Sequence, residues 1–310
     1  NGGKCVTEED FYKACRAASI LGTLQAGYTD FKFISDISKK IFDREALLGV
    51  SITGWMNNPD ILFDTKVLKK GANIVKKVNK EVAAIIGINP AARTTCVKPS
   101  GNASVLLQTA SGIHAEHSPM YIRNIQMNKE SEITQAIVRA NPFMVEESVW
   151  SANGTDVVVS FPIVPKNGSM YKDNLLGVKH LELVKKAQKY WVVEGTNEEL
   201  CADEGVRHNV SNTIIVDDWD DVEKYVFENR YSFSGISFLA PTGDKDYNQA
   251  PNTQVITADE MVNKYDQGAI FASGMVVDAI KVFDNLWTAC ATAQGMGEDL
   301  SLESSENSAK

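Results

Sequence analysis

The sequence lacks any apolar run of the length, about 20 residues, that a membrane-spanning helix needs. Its opening stretch, Asn1–Asp10, has no apolar core of the kind that marks a secretion signal. Cysteine is sparse and scattered: Cys5, Cys15, Cys96, Cys201 and Cys290 show no Cys-x-x-Cys spacing. That argues against a structural zinc site and against a secreted disulfide framework. It fits a reducing cytoplasm, with most thiols acting as small buried hydrophobes. Positive charge is in deficit, with a net charge of −9, which argues against direct nucleic-acid binding because phosphate backbones require clustered Lys and Arg. A small anionic ligand stays compatible, since a few backbone donors bind a phosphate whatever the global charge. His114 and His117 are three residues apart with no carboxylate cluster beside them, a weak metal pair, so no metal site is expected.

What is present is a composition ordinary for a folded chain, 44% hydrophobic and 23% charged over 310 residues. Helical spacing of apolar residues runs from Glu8 to Leu24 and from Val67 to Ile86, the second ending at the C-cap candidate Gly87. Leu47–Thr53, Arg93–Lys98, Tyr121–Met127, Val157–Val164, Val210–Val216 and Ile236–Leu239 read as strands. Asn153-Gly154 marks a turn that would pair Val157–Val164 with the segment before it. Leu181–Val193, Trp219–Asn229, Met261–Gly268 and Ala269–Thr292 read as helices, and the acidic run Asp217–Asp221 suits a solvated helix start. Strands alternating with helices predict an α/β architecture with largely parallel strands. No Pro- or Gly-rich linker divides the chain, so a single domain is expected over 1–300, followed by the polar tail or linker 301–310 (SLESSENSAK). The start at Asn1 and this tail read as cuts in a longer protein.

The stretch from Thr94 to Arg123 (TTCVKPSGNASVLLQTASGIHAEHSPMYIR) carries the most chemistry. A strand is broken by Pro99, and Gly101 allows a sharp turn or a close approach to a ligand. Asn102 is a good N-cap, and Ala103–Gln108 can begin a helix. Free N–H groups and the positive end of a helix dipole would then converge with Ser100, Asn102 and Ser104 as side-chain donors. An ordinary capped turn would give the same pattern, and the residues by themselves leave both readings open.

A resemblance to a known family bears on that choice. Lys98-Pro99-Ser100-Gly101-Asn102-Ala103-Ser104, then Ser111-Gly112-Ile113-His114 and Tyr121-Ile122-Arg123, resemble the signature of adenosylcobalamin-dependent (class II) ribonucleotide reductases. Further blocks follow in order along the chain: Gly22–Asp30, Leu48–Gly54, His208–Ser211 and Ile236–Leu239. The resemblance implies the second half of a ten-stranded α/β barrel and the C-terminal portion of a catalytic domain. It implies that Pro99, Ser100, Gly101, Asn102, Ala103 and Ser104 grip the phosphates of a ribonucleotide substrate. Two departures stand out: the family has Thr at the position of Asn102, and a second Arg at the position of Asn124.

The implied reaction is reduction of the ribose 2′-carbon by a ribonucleoside di- or triphosphate reductase. A thiyl radical on one cysteine removes the 3′ hydrogen, and two further cysteines supply the reducing equivalents. In the family one reducing cysteine follows the radical cysteine by about ten residues, and Gly3-Lys4-Cys5-Val6 resembles that position. The loop with the radical cysteine, of the form Asn-Pro-Cys-x-Glu, is not in this sequence. The implied cofactor is adenosylcobalamin. The implied partners are the ribonucleotide, an N-terminal half of the reductase carrying the radical cysteine, and a dithiol reductant such as thioredoxin. The part alone is expected to be inactive. An inactive nucleotide- or partner-binding remnant is the alternative, as is the equivalent part of an oxygen-dependent class I large subunit, although the nine tyrosines include no adjacent pair. Cys15, Cys96, Cys201 and Cys290 read as packing residues, and His114 as a hydrogen-bonding partner of the loop backbone.

Overall fold

The computed structural model describes residues 1–101, 103–241 and 249–254. Asn102, Cys290, the helices expected over Met261–Gly268 and Ala269–Thr292, and the tail from Ser301 lie outside the described residues. The helices are α1 (Glu8–Ala26), α2 (Asp36–Glu45), α3 (Pro59–Leu62), α4 (Thr65–Ile86), α5 (Ala103–Leu106), α6 (Glu132–Ala140), α7 (Gly177–Ala187) and α8 (Trp219–Glu228). The strands are β1 (Val50–Ser51), β2 (Thr95–Cys96), β3 (Tyr121–Asn128), β4 (Val145–Glu147), β5 (Asp156–Ile163), β6 (Asn212–Ile215), β7 (Ile236–Leu239) and β8 (Asn252–Gln254). Among the described residues no helix is long and apolar enough to cross a membrane.

The chain divides into two compact units rather than the single domain expected from the missing linker. One comprises Asn1–Glu116 with Lys166–Pro241; the other begins at His117–Pro165 and takes in the segment after Pro241. The junctions are short, His117-Ser118-Pro119 at one end and Pro165-Lys166-Asn167-Gly168 at the other. A composition scan for a long linker passes over such brief breaks.

In the first unit the strands are parallel, as expected. β1 pairs with β2 and β6 with β7, and a parallel bridge between Val97 and Val210 joins the two pairs. The regular strands are shorter than the apolar runs suggested, although ladder bonds extend past them: Leu48 N–H donates to Arg93 O at 3.1 Å and Ser211 N–H to Val97 O at 2.8 Å. α1 packs on β1, and α4 packs on α1. α1 starts from a capping box, Thr7 with Asp10, and α4 is capped by Asp64 and ends at Gly87 in the left-handed conformation. Their shared face buries Phe11, Cys15, Leu68, Ala72 and Val75. The helix expected over Leu181–Val193 is two pieces: α7 gives way to a π-helical turn, Gln188–Val193. That wider turn carries the buried Trp191, whose indole N–H donates to Cys96 O at 3.0 Å.

The second unit departs from the expected parallel pattern. Its sheet is antiparallel in the order β4-β5-β3-β8. The pairing of β5 with the segment before Asn153-Gly154 is present, with Val145 opposite Val159. β3 and β5 are each eight residues long and paired from end to end. The architecture is thus mixed helix and strand with small open sheets. Among the described residues the sheets do not display the ten-stranded barrel half implied by the resemblance, and β1 and β2 contribute only two residues each to regular pairing.

Candidate functional site

The candidate loop lies in the first unit, between the end of the β2 ladder and α5. Lys98, Pro99, Gly101 and Ala103 are exposed, Ser100 is half-buried and Ser104 is buried. Gly101 has φ +52°, which supports the sharp turn read from the sequence. α5 is one turn long and ends at Leu106, so the helix dipole invoked for an anion site is small. The two described serines also turn inward. The Ser104 hydroxyl donates to Gly101 O at 2.8 Å. The Ser100 amide donates to Ser111 Oγ at 2.9 Å, and Ser100 Oγ lies 2.9 Å from Thr53 Oγ1 and 3.2 Å from Ser111 Oγ. Their side chains therefore shape the loop, leaving its main chain and Lys98 as the exposed features.

The returning segment Ser111–His114 holds the loop from beneath. Gly112, at φ +55°, passes so close to the incoming strand that a Cβ there would sit 2.7 Å from Lys98 O. His114 Nδ1 bonds to Ser111 O at 2.9 Å, and its Nε2 accepts the Thr213 amide at 3.1 Å, tying the turn to β6. This is the backbone role expected for His114. Burial lowers its pKa, so the ring is held neutral.

Cys5 is the second expected site residue, and it too lies in this unit. The short turn Gly2–Lys4 carries it along the exit of the loop. Asn1 Nδ2 donates to Leu107 O, and Lys4 Nζ to Gln108 Oε1, both at 3.0 Å. Gly3 and Gly54 meet Thr109 closely, and a Cβ on Gly3 would come within 2.5 Å of its hydroxyl. Two adjacent asparagines fasten the junction. Asn57 Oδ1 accepts from Thr109 Oγ1 and from the Ala110 amide, each at 2.7 Å, while its Nδ2 donates to Glu116 Oε1 at 2.6 Å. Asn58 Nδ2 donates to Gly2 O and Cys5 O at 3.1 and 2.9 Å. Cys5 is buried, with Sγ 3.6 Å from Asn1 O, and burial pushes its thiol pKa upward. Cys15 and Cys96 are packed in the interior, pushed up to about 12 and about 11 by burial, as fits packing residues.

Nothing in the sequence marks Thr53, Asn57 and Asn58 as parts of this arrangement. Each sits in the short run Ser51-Ile52-Thr53-Gly54-Trp55-Met56-Asn57-Asn58, and its partners lie far along the chain. The available signal is three polar residues inside a segment that also carries Ile52, Trp55 and Met56, all of them buried. Arg123 and Asn124 belong to the second unit, where Asn124 Nδ2 donates to Ala250 O at 2.7 Å and Arg123 Nε to Asn252 Oδ1 at 3.4 Å.

No family profile matches the sequence. The chain is 27% identical over 255 residues to a protein from Dictyostelium discoideum named "Probable adenosylcobalamin-dependent ribonucleoside-triphosphate reductase", covering 80% of this chain and 31% of that protein. It is 23% identical over 261 residues to the adenosylcobalamin-dependent ribonucleoside-triphosphate reductase of Euglena gracilis, covering 82% and 34%. The chain thus spans about a third of the length of these relatives. In fold it matches the crystal structure of a B12-dependent (class II) ribonucleotide reductase with a TM-score of 0.67 and 18% identity, over 87% of this chain and 40% of that one. Sequence and fold thus point the same way: the chain is similar in sequence to adenosylcobalamin-dependent ribonucleoside-triphosphate reductases and in fold to a class II ribonucleotide reductase.

Proposed function

We propose that this chain is the part of a ribonucleotide reductase that binds the substrate phosphates and supplies one reducing thiol. The observation that carries the reading is the packing of the Cys5 segment against the exit of the 98–104 loop, through Asn1, Lys4, Asn57 and Asn58. Two features that the sequence separates by more than ninety positions thus share one corner of one unit. The curated relatives are named as triphosphate reductases, which favours a ribonucleoside triphosphate as substrate. The segment Pro99, Ser100, Gly101, Asn102, Ala103 and Ser104 would hold the phosphates through N–H groups such as that of Gly101, with Lys98 beside it, since the Ser100 and Ala103 amides are spent inside the loop. Cys5 would give up a hydrogen as one of two thiols that end as a disulfide. The 2′ hydroxyl leaves as water, so the two electrons lost by sulfur are gained by carbon. The second thiol and the radical cysteine would come from the N-terminal half of the reductase, and a dithiol such as thioredoxin would restore Cys5. The four described cysteines are unpaired, which supports a reducing cytoplasmic setting.

Adenosylcobalamin dependence, carried in the relatives' names, is assigned to the assembled enzyme. His114 has both ring nitrogens engaged, and His180 and His208 each hold a main-chain carbonyl through Nε2. A cavity of about 820 Å³ beside β1 is lined mainly by apolar groups such as Leu21, Phe31, Phe42 and Leu48, poor partners for the amide-fringed corrin.

Cys5→Ser in the assembled enzyme tests the reading. The substitution should stop multiple turnover while a single turnover's radical formation persists, followed as deoxynucleotide yield against cobalamin absorbance. Product at the unaltered rate would make Cys5 an ordinary packing residue.

A further inference from the structure

Three hydroxyls, those of Thr53, Ser100 and Ser111, lie in a row beneath the loop. Thr53 is 8% exposed. Its Oγ1 accepts the Gly112 amide at 3.0 Å, and its hydroxyl donates to Ala110 O at 2.9 Å. With its own proton committed, Thr53 Oγ1 can only accept from Ser100 Oγ, 2.9 Å away. The Ser100 hydroxyl also donates to Ser111 Oγ at 3.2 Å, so its one proton is shared between the two acceptors. Ser111 Oγ also takes the Ser100 amide at 2.9 Å. Thr53 and Ser111 thus hold the Ser100 hydroxyl between two acceptors while Thr53 passes its own proton to Ala110 O, an arrangement in which each bond polarises the next. It fixes both the side chain and the amide of Ser100, the residue from which the exposed turn at Gly101 springs.

We propose that Thr53 is the positioning residue of the phosphate loop, setting its affinity for a polyphosphate through Ser100 without touching the ligand. The proposal rests on the phosphate reading of the loop. A valine fills the space of threonine but has no hydroxyl. It would leave the Gly112 amide unpaired, Ala110 O with the Gly54 amide as its remaining donor, and Ser100 Oγ held by Ser111 alone.

The test uses the full 310-residue chain and inorganic tripolyphosphate as the probe, titrated calorimetrically. Thr53→Val should bind about ten-fold more weakly, the size of effect that the loss of a buried hydrogen-bonding group produces. Thr53→Ser, which keeps the hydroxyl, should restore affinity to within about two-fold, a rescue that simple filling of space would not give. Amide exchange at Gly112 and Ser100 should accelerate in the valine variant and not in the serine variant. Should Thr53→Val fail to fold, Ser111→Ala removes the other acceptor of the Ser100 hydroxyl, leaves the bonds from Thr53 to residues 110 and 112 intact, and should weaken binding in the same direction. Binding by the unaltered chain with equal affinity in Thr53→Val, or in Ser111→Ala where the valine variant does not fold, would overturn the role of Thr53 alone. No binding by the unaltered chain would overturn the phosphate reading, and the proposal with it.

Discussion

His180 sits in the interior with Nε2 2.9 Å from Ile113 O and 3.0 Å from Asn212 Nδ2. Burial drives its pKa down to about 4 from an ordinary 6.5; the bond to Ile113 opposes that shift, and His114 adds to it. The folded pKa lies below the unfolded one, so the unfolded chain takes up the proton first. Stability is therefore complete above about pH 6.5 and is lost as the pH falls from there toward 4, by an amount on the order of 3 kcal/mol for this residue. His114 and His208 are shifted in the same direction by burial and add to the slope. Urea unfolding from pH 8 to pH 4 should show this acid loss, and His180→Asn should flatten part of it. A flat profile for the unaltered chain would mean that His180 is accessible to protons in the fold. The same scale marks what a sequence conceals. The backbone role of His114 was legible because it lies within the Ser111–His114 turn that it braces. The inward turn of the Ser100 and Ser104 hydroxyls was not, because partners such as Thr53 lie in a different part of the chain.

At the scale of elements, α1 and α4 were the most legible features of the chain, because their apolar periodicity is long and both ends carry caps. Less legible was the polar seam inside their contact. Ser19 Oγ donates to Val75 O at 2.8 Å, Thr23 Oγ1 to Ser19 O at 2.7 Å, and Asn79 Nδ2 to Thr23 Oγ1 at 2.9 Å. Asn79 Oδ1 then accepts the Ala91 amide at 2.8 Å, linking the helix pair to the segment that leads into β2. Ser19, Thr23 and Asn79 are fully buried. A period of 3.6 residues finds the apolar face and is blind to buried hydroxyls and amides whose partners lie on another helix. Asn79→Ala should cost about 2–4 kcal/mol, since it leaves the Ala91 amide unpaired and opens a small void. Urea denaturation would read this as a lower midpoint at constant slope. A change below about 0.5 kcal/mol would show that the seam relaxes around the loss. The short strands β1 and β2 were overextended by the same kind of reading, since apolar, β-branched runs continue past the last regular ladder bond. The antiparallel sheet of the second unit was missed because a strand-helix-strand alternation also describes β3, α6 and β4.

For the whole molecule, chemistry and surface point the same way. Removing hydrogen from the 3′-carbon requires a thiyl radical on a cysteine that faces the substrate. Cys15 and Cys96 are packed in the interior, Cys201 rests on main-chain carbonyls, and Cys5 is the thiol proposed above as a reductant. None of the five cysteines has an Asn-Pro-Cys-x-Glu setting. The first unit also presents apolar groups that a self-sufficient surface would seldom leave bare: Leu21, Tyr28, Phe33 and Ile37 are 68%, 80%, 99% and 72% exposed. Beside them, β1 is paired on one side only among the described residues. The chain spans 31% of one reductase and 34% of another, so most of each relative has no counterpart here. This chain alone should therefore turn over no ribonucleoside triphosphate, even with adenosylcobalamin and a dithiol supplied. Mixed with a polypeptide that carries the N-terminal half, it should form a stable complex and yield deoxynucleotide. A pull-down, followed by product assays on each part and on the mixture, separates the cases. A complex without product would place the missing thiol or radical chemistry on a third segment. Product from this chain by itself, in a preparation free of the other half, would mean that one of its own cysteines is the radical site.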